Sequence, residues 1–264
     1  MDSAVVIFTK IPIPGLVKTR LTRETCLSEL DSAKLAKAML KDTISLASMT
    51  VADRIQIGYF PKDNVTDLYD IINALRIDGH LNQPIDIIPQ YGSNFNQRFG
   101  SIVKESFKKN NDFIVILGAD LPFLDPKVVN KALIYLAEKF EENPVIIGPS
   151  SGGGIYLVGI TNNFNFNWFS DYNLFRDGSE LSKFAKFSKD NEFALISLPP
   201  YGDIDIEEDL VSLISYIDIL KSSERTRGFH YPYYTAKIIE ELKLYIVEQF
   251  DQTRQRKIAK KSNK

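Results

Sequence analysis

"AVVIF" (residues 4–8) runs through Thr9 and Lys10 into "IPIPGLVKTRL" (residues 11–21), and the reading of this junction decides the fold. A short, β-branched apolar run reads as a buried strand. Pro12, Pro14 and Gly15 then impose an irregular path. Glycine and lysine just behind a strand raise the question of a phosphate-binding loop. The P-loop pattern requires glycine directly before its lysine, but Val17 stands before Lys18. What remains is a strand ending in a Pro/Gly loop with two cations, Lys18 and Arg20. Open α/β sheets bind ligands at such strand ends. Gly15 would let the backbone approach a ligand, while Lys18 and Arg20, both expected to be exposed, would neutralise phosphate oxygens. A turn carrying two solvated cations is the plainer account of the same residues.

Outward from this junction, strand and helix patterns alternate. Strands are predicted at 3–8, 54–60, 85–90, 113–120, 144–149, 154–160 and near 193–198. Helices are predicted over 27–49, 65–75, 95–109, 126–140, around 179–187 and at 206–220. "FIVILGAD" (113–120) is the most apolar strand and is expected at the sheet centre. The alternation argues for a layered α/β domain. Residues 221–232 read as a linker, and 233–264 as one long helix fraying into a basic tail. The helical stripe Tyr233, Ile238, Leu242, Ile246 and Phe250 must pack on the body or on another chain, and the reading favours a homodimer contact.

Composition narrows the classes of function. The 264 residues, 44% hydrophobic and 25% charged, suit one large soluble α/β domain. A net charge of −2 gives no global attraction to nucleic acid or to a membrane surface. From Arg254 onward the charges are all positive, but no aromatic residues are interleaved, so nucleic-acid binding is not expected. The lone cysteine, Cys26, excludes an internal disulfide and a cysteine-rich zinc site. The N-terminus lacks signal-peptide features, and no run reaches the roughly 18 apolar residues of a membrane span. A cytoplasmic protein is expected.

Three further loops carry candidate chemistry. In "PQYGSNFNQRFG" (89–100), Gly92 and Asn94 fit a turn and a helix cap. Gln90 offers an amide to a base edge or sugar hydroxyl, and Arg98 is either a ligand contact or a surface arginine. In "ILGADLPFL" (116–124), Asp120 follows the apolar strand directly. A carboxylate there is a natural Mg²⁺ ligand, although a turn cap also suits Asp before Leu-Pro. In "PPYGDIDIEEDL" (199–210), Asp203 and Asp205 face one way if the segment is extended, and like-facing carboxylates repel without a cation between them. Glu207, Glu208 and Asp209 are explained by the helix they open.

"FTKIPIPGLVKTRLT", "PQYGSNFNQRFG", "LGADLPFL", "GPSSGGGIYLVGI" and "LPPYGDIDIEEDL" occur in an order that resembles the DUF2064 family. That family belongs to the nucleotide-diphospho-sugar transferase superfamily and is related to 2-phospho-lactate guanylyltransferases and molybdenum-cofactor nucleotidyltransferases. The resemblance spans roughly residues 3–215. It implies a GT-A-like three-layer α/β/α fold with a mixed, mostly parallel sheet. Residues 1–220 would form the nucleotide-binding domain, and the helical extension lies outside the resemblance. It further implies Mg²⁺ or Mn²⁺ at Asp120, with Asp203 and Asp205 as further ligands. Thr9, Gly15, Gln90, Asn94, Arg98 and Gly118 would bind the nucleotide. Lys18, Arg20 and Asp120 would act in catalysis. Ser150, Ser151, Gly153 and Gly154 would face the acceptor. One departure stands out: the family's acidic residue before the paired glycines is replaced here by Gly152.

The two histidines, His80 and His230, lie outside these motifs, which argues against Ser-His-Asp or Cys-His catalysis. A metal, cations and carboxylates suit phosphoryl-type transfer. The expected activity is nucleotidyl transfer from a nucleoside triphosphate to a small phosphate- or carboxylate-bearing acceptor. A glycosyltransferase using a nucleotide sugar, or a non-catalytic nucleotide-binding protein, would use the same parts.

Overall fold

The computed structural model describes residues 1–176, 178–223, 230–248 and 256–261. Strand β1 (Ser3–Lys10) leads through a short helix α1 (Thr19–Glu24) to α2 (Glu29–Ser48). Then follow β2 (Arg54–Phe60), α3 (Val65–Ile77), β3 (Ile85–Pro89), α4 (Phe95–Phe107), β4 (Phe113–Gly118) and α5 (Pro126–Glu138). Next come β5 (Val145–Pro149), β6 (Ile155–Thr161), α6 (Trp168–Asp171), α7 (Glu180–Asp190), β7 (Leu195–Ser197) and α8 (Glu207–Ser222). The chain ends in α9 (Tyr233–Glu241), β8 (Leu244–Glu248) and β9 (Arg256–Lys260).

The sheet has seven strands in the order β3-β2-β1-β4-β6-β5-β7, so β4 is central, as its apolar sequence predicts. All adjacent pairs are parallel except those that β6 makes with β4 and β5. The continuous apolar run of β1 follows from burial on both faces. Val5 and Ile7 join the core beneath α2, α3, α5 and α8, whereas Ala4 and Val6 join the opposite core with Phe99, Phe169 and Phe184. This is the three-layer, mostly parallel arrangement expected of the domain.

Local signals agree with these elements. Ser28 caps α2 by accepting from the Asp31 N–H at 3.2 Å, and Asp31 Oδ2 accepts from the Ser28 N–H at 3.0 Å. Pro126 opens α5 behind the Asp125 cap.

The C-terminal segment corrects the sequence reading. The helix stops at Glu241, Lys243 turns into the left-handed region with φ 55°, and a hairpin of β8 and β9 replaces the rest of the long helix. "LYIVE" (244–248) is rich in β-formers, and Leu244 and Ile258 are buried against the main core. Packing of Leu244 and Ile258 into the core favours the hairpin over the helical spacing. The basic end is tied down where it is described: Lys260 pairs with Asp31 at 2.5 Å, and the Ile258 N–H donates to Glu207 Oε1 at 2.8 Å. Arg254 and Phe250 lie outside the described residues. The rest of the proposed stripe is largely accounted for inside the chain: Ile238, Leu242 and Ile246 pack on the core, while Tyr233 is exposed.

Helix α9 has no cap of its own; α2 supplies one. Asp42, 1% exposed, accepts from the N–H groups of Tyr234 at 2.9 Å and Thr235 at 2.7 Å. Burial pushes its carboxyl up to about 6 from the usual 3.8, against the lowering effect of these bonds. In that window the folded chain holds a proton that the unfolded chain releases, so this group's stabilisation is full below about pH 4 and lost as pH rises through about 6. Asp42→Asn is expected to remove about 2 kcal/mol of that pH dependence. Urea melts of both proteins at about pH 4 and pH 7 check it; equal changes in the two would refute the assignment.

Candidate functional site

The loop after β1 lies over the carboxyl ends of β1 and β4. The Ile11 N–H donates to the Phe60 carbonyl at 2.7 Å, and Ile11 is fully buried, which pins the start of the loop. Gly15 takes φ +77°, a left-handed turn that favours glycine. The loop then enters α1 through Lys18, also left-handed at φ 49° and ψ 37°. A cleft of about 330 Å³ opens here, lined by Thr9, Lys10, the Leu16–Arg20 segment, Arg98, Asp120 and Asp205.

Lys18 is the centre of this cleft, and it is buried rather than exposed. Its side chain is 4% accessible, and Nζ lies 2.6 Å from Asp120 Oδ1, 2.5 Å from the Ile204 carbonyl and 3.3 Å from Asp205 Oδ1. Three N–H donors therefore meet three acceptors. Burial alone would lower the Lys18 pKa, but Asp120 and Asp205 outweigh it and hold the ammonium above its ordinary value. Arg20 is exposed, as expected, and reaches Asp205 Oδ2 at 3.3 Å. The Ile204 N–H also donates to the Asp120 carbonyl at 3.0 Å, so the backbone of one residue locks the far segment onto the end of β4. Sequence reasoning missed Ile204 because a backbone carbonyl leaves no signature in residue type.

Asp120 and Asp205 thus meet on one ammonium, and their facing oxygens are no further apart than the sum of its two contact lengths. Asp203 is not part of this group. Its carboxylate accepts a short hydrogen bond from the Ser150 hydroxyl. Burial raises the Asp203 pKa, with Asp205 and Asp120 adding to the effect and the Ser150 bond opposing it. Among the described residues, no three His, Cys, Asp or Glu side chains converge on a point that would hold a metal. Of the three expected carboxylates, Asp120 and Asp205 share the Lys18 ammonium, while Asp203 Oδ1 is engaged by Ser150. No turn cap by the Asp120 side chain occurs among the described residues; its carboxylate faces Lys18.

Several expected ligand contacts have structural duties. Gln90 is 5% exposed, and its Nε2 donates to the carbonyls of Thr9 at 2.9 Å and Gly58 at 2.8 Å. Its amide protons tie β1 and β2 together, and the residue also lines the cleft. Asn94 caps α4 by accepting from the Gln97 N–H at 3.0 Å. Thr9 is buried, with its hydroxyl donating to the Lys10 carbonyl. Arg98 does line the cleft, with its guanidinium 5.0 Å from the centre of the Phe60 ring. At Gly118 a Cβ would meet open space, so no neighbour in this chain requires glycine there. The aromatic Phe95, 43% exposed at the start of α4, also lines the cleft and was not foreseen.

The glycine-rich turn is separate from the cleft lining. Ser151–Gly153 form a single tight turn in which Gly152 and Gly153 have φ +65° and +84°. A Cβ on Gly153 would fall 2.5 Å from the Gly178 carbonyl, so close packing requires glycine there. Gly154 closes the turn, its N–H donating to the Ser151 carbonyl at 3.2 Å. The link between this turn and the cleft is the strip Asp203-Ile204-Asp205, with one carboxylate toward each.

Comparison with known proteins agrees with this architecture. Residues 67–175 match the family model described as an uncharacterized protein conserved in bacteria, DUF2064. A candidate nucleotide-diphospho-sugar transferase from Desulfovibrio desulfuricans G20 aligns over 91% of this chain and 95% of its own, at 24% identity and TM-score 0.70. A cytidylyltransferase from Leptospira borgpetersenii serovar Hardjo-bovis (strain JB197) aligns over 91% and 94%, at 14% identity and TM-score 0.51. The 4-diphosphocytidyl-2C-methyl-D-erythritol synthase of Anaerococcus prevotii DSM 20548 covers 82% and 96%, at 14% identity and TM-score 0.52. No curated protein matches the sequence. The chain shares the fold of these proteins, a GT-A-like three-layer α/β/α arrangement. No helix among the described residues is long and apolar enough to cross a membrane.

If Gln90 is a strand tie, Gln90→Leu should lower stability by about 1–3 kcal/mol by stranding two buried carbonyls. Urea denaturation measures this. A variant of native stability with a changed base preference would return Gln90 to a nucleotide-reading role.

Proposed function

We propose that this protein is a nucleotidyltransferase that uses a nucleoside triphosphate and a divalent cation. The observation that carries the reading is the Lys18 ammonium between Asp120 and Asp205, at the carboxyl ends of two parallel strands and beside Arg20. Cations and carboxylates together at such an edge suit a ligand that brings phosphates and a metal. The names of structurally similar proteins, a cytidylyltransferase and a diphosphocytidyl-methylerythritol synthase, support the same class.

Asp120 and Asp205 fit a divalent cation as donors, since Mg²⁺ takes one or two carboxylates plus substrate phosphates. When bound, the ion would neutralise charge on the phosphates. Lys18 and Arg20 would move from their carboxylate partners to phosphate oxygens and stabilise the leaving pyrophosphate. Arg98 would lie along the nucleotide in the same cleft. An acceptor oxygen then attacks the α-phosphorus, the bond from that phosphorus to the bridging oxygen breaks, and pyrophosphate departs with the electron pair. Ser150, Ser151 and the glycine turn would hold the acceptor, a small molecule bearing phosphate or carboxylate. The protein's part is positioning and charge compensation rather than covalent catalysis.

The runner-up is sugar transfer from a nucleoside diphosphate sugar, supported by the name of the Desulfovibrio protein. A thermal-shift panel of nucleoside triphosphates and nucleotide sugars, with and without Mg²⁺, tests the class. A ligand at 100 times its dissociation constant should add about 2.7 kcal/mol. Asp120→Asn should abolish the Mg²⁺-dependent part of that gain and leave unliganded melting near native. Pyrophosphate release identifies nucleotidyl transfer, and nucleoside diphosphate release identifies sugar transfer. Absence of any nucleotide-dependent shift would overturn both.

A further inference from the structure

The residue that fills the space between Asp120 and Asp205 is itself a cation. Lys18 Nζ has all three of its protons matched, by Asp120, Asp205 and the Ile204 carbonyl, and its side chain is 4% accessible. Arg20 occupies the second oxygen of Asp205. Two carboxylates face two cations, so the group is already neutral. A divalent cation arriving alone would meet both positive side chains at short range. A nucleotide changes this balance, because its phosphates offer the two cations new partners and add ligands for the metal.

The backbone adds a second observation. Lys18 holds φ 49° and ψ 37° at the entrance to α1, with no side-chain cap there. A left-handed residue with a side chain is disfavoured by about 1–2 kcal/mol. The other left-handed residue in this loop is Gly15, where glycine removes that penalty. At Lys18 the conformation is sustained by where its side chain goes. An ammonium that leaves the carboxylates removes the reason for the strained backbone, so the side chain and the loop entrance are expected to move together.

We propose that Lys18 is an internal counter-ion that closes the Asp120/Asp205 pair to divalent cations until a nucleotide draws its ammonium away. The inference rests on the nucleotide-and-metal reading above and adds an order to it: phosphate first or phosphate with metal, never metal alone. It makes Lys18 a gate to the metal position as well as a phosphate contact. It also makes cation binding strongly synergistic with nucleotide binding, and by linkage the reverse.

The test reads free Mn²⁺ by electron paramagnetic resonance during titration of the full chain without nucleotide. Wild-type protein should bind Mn²⁺ weakly. Lys18→Met and Lys18→Gln should each bind it about tenfold more tightly or better, because one nearby positive charge is gone. Lys18→Arg should remain weak. Adding Asp120→Asn to Lys18→Met should erase the gain, which locates the ion at the pair. Circular dichroism and melting establish that each variant is native. Unchanged Mn²⁺ affinity in folded Lys18→Met or Lys18→Gln overturns the gate. Loss of the fold in both variants also overturns it, since Lys18 would then be a structural ion-pair partner. Wild-type titrations with nucleoside triphosphate separate the two readings: a gain in the variants with no nucleotide effect in wild type keeps Lys18 as the counter-ion that blocks the pair, and overturns both its opening by nucleotide and the nucleotide function.

Discussion

A buried ammonium must find acceptors, and the way Lys18 finds them organises the functional edge of this protein. It stands in the loop after β1, and its partners come from two other places: Asp120 beyond the end of β4, and the Ile204–Asp205 segment before α8. The two carboxylates remain 49% and 42% exposed, so solvent screens the ion pairs and they contribute little net stability. What the contact supplies is registration. It fixes where a loop, a strand end and a distant segment stand relative to one another, and it concentrates charge at one point of the cleft.

That registration requires a rigid platform. β1 supplies it by burying both faces of its strand between two cores. β2 and β4 flank it in parallel, so their carboxyl ends open on the same side as its own. Gln90 strengthens the platform by joining β1 and β2 at their ends. α8 then starts directly after Asp205, where Asp209 Oδ2 accepts from the N–H groups of Asp205 and Ile206, both at 2.9 Å. The acidic start of this helix therefore also holds Asp205 in place. The C-terminal hairpin packs behind α8 and braces it from the far side.

The division of the two aspartates is the chemical consequence of this arrangement. Asp205 faces cations and the cleft, while Asp203 turns to Ser150 and the glycine turn. A carboxylate absent from the turn itself, where Gly152 stands, is thus present beside it in space.

The sequence by itself determined the alternation of strands and helices, the central place of β4, and the residue types at the functional edge. These depend on local periodicity and on turn chemistry, which short windows of residues express. It misjudged the C-terminal segment, because "LYIVE" fits a helical stripe or a strand, and only the apolar face of α8 decides between them. It marked Lys18, Asp120, Asp203 and Asp205 as candidates, but not that Lys18 is buried, that Ile204 lends its carbonyl, or that Ser150 takes Asp203 away from the pair. Likewise Gln90 and Asn94 are polar residues in a promising loop, and their side chains are committed to strand ends and a helix cap. Only the tertiary structure decided these points, because each depends on a partner that is distant in sequence or on backbone atoms that every residue type shares.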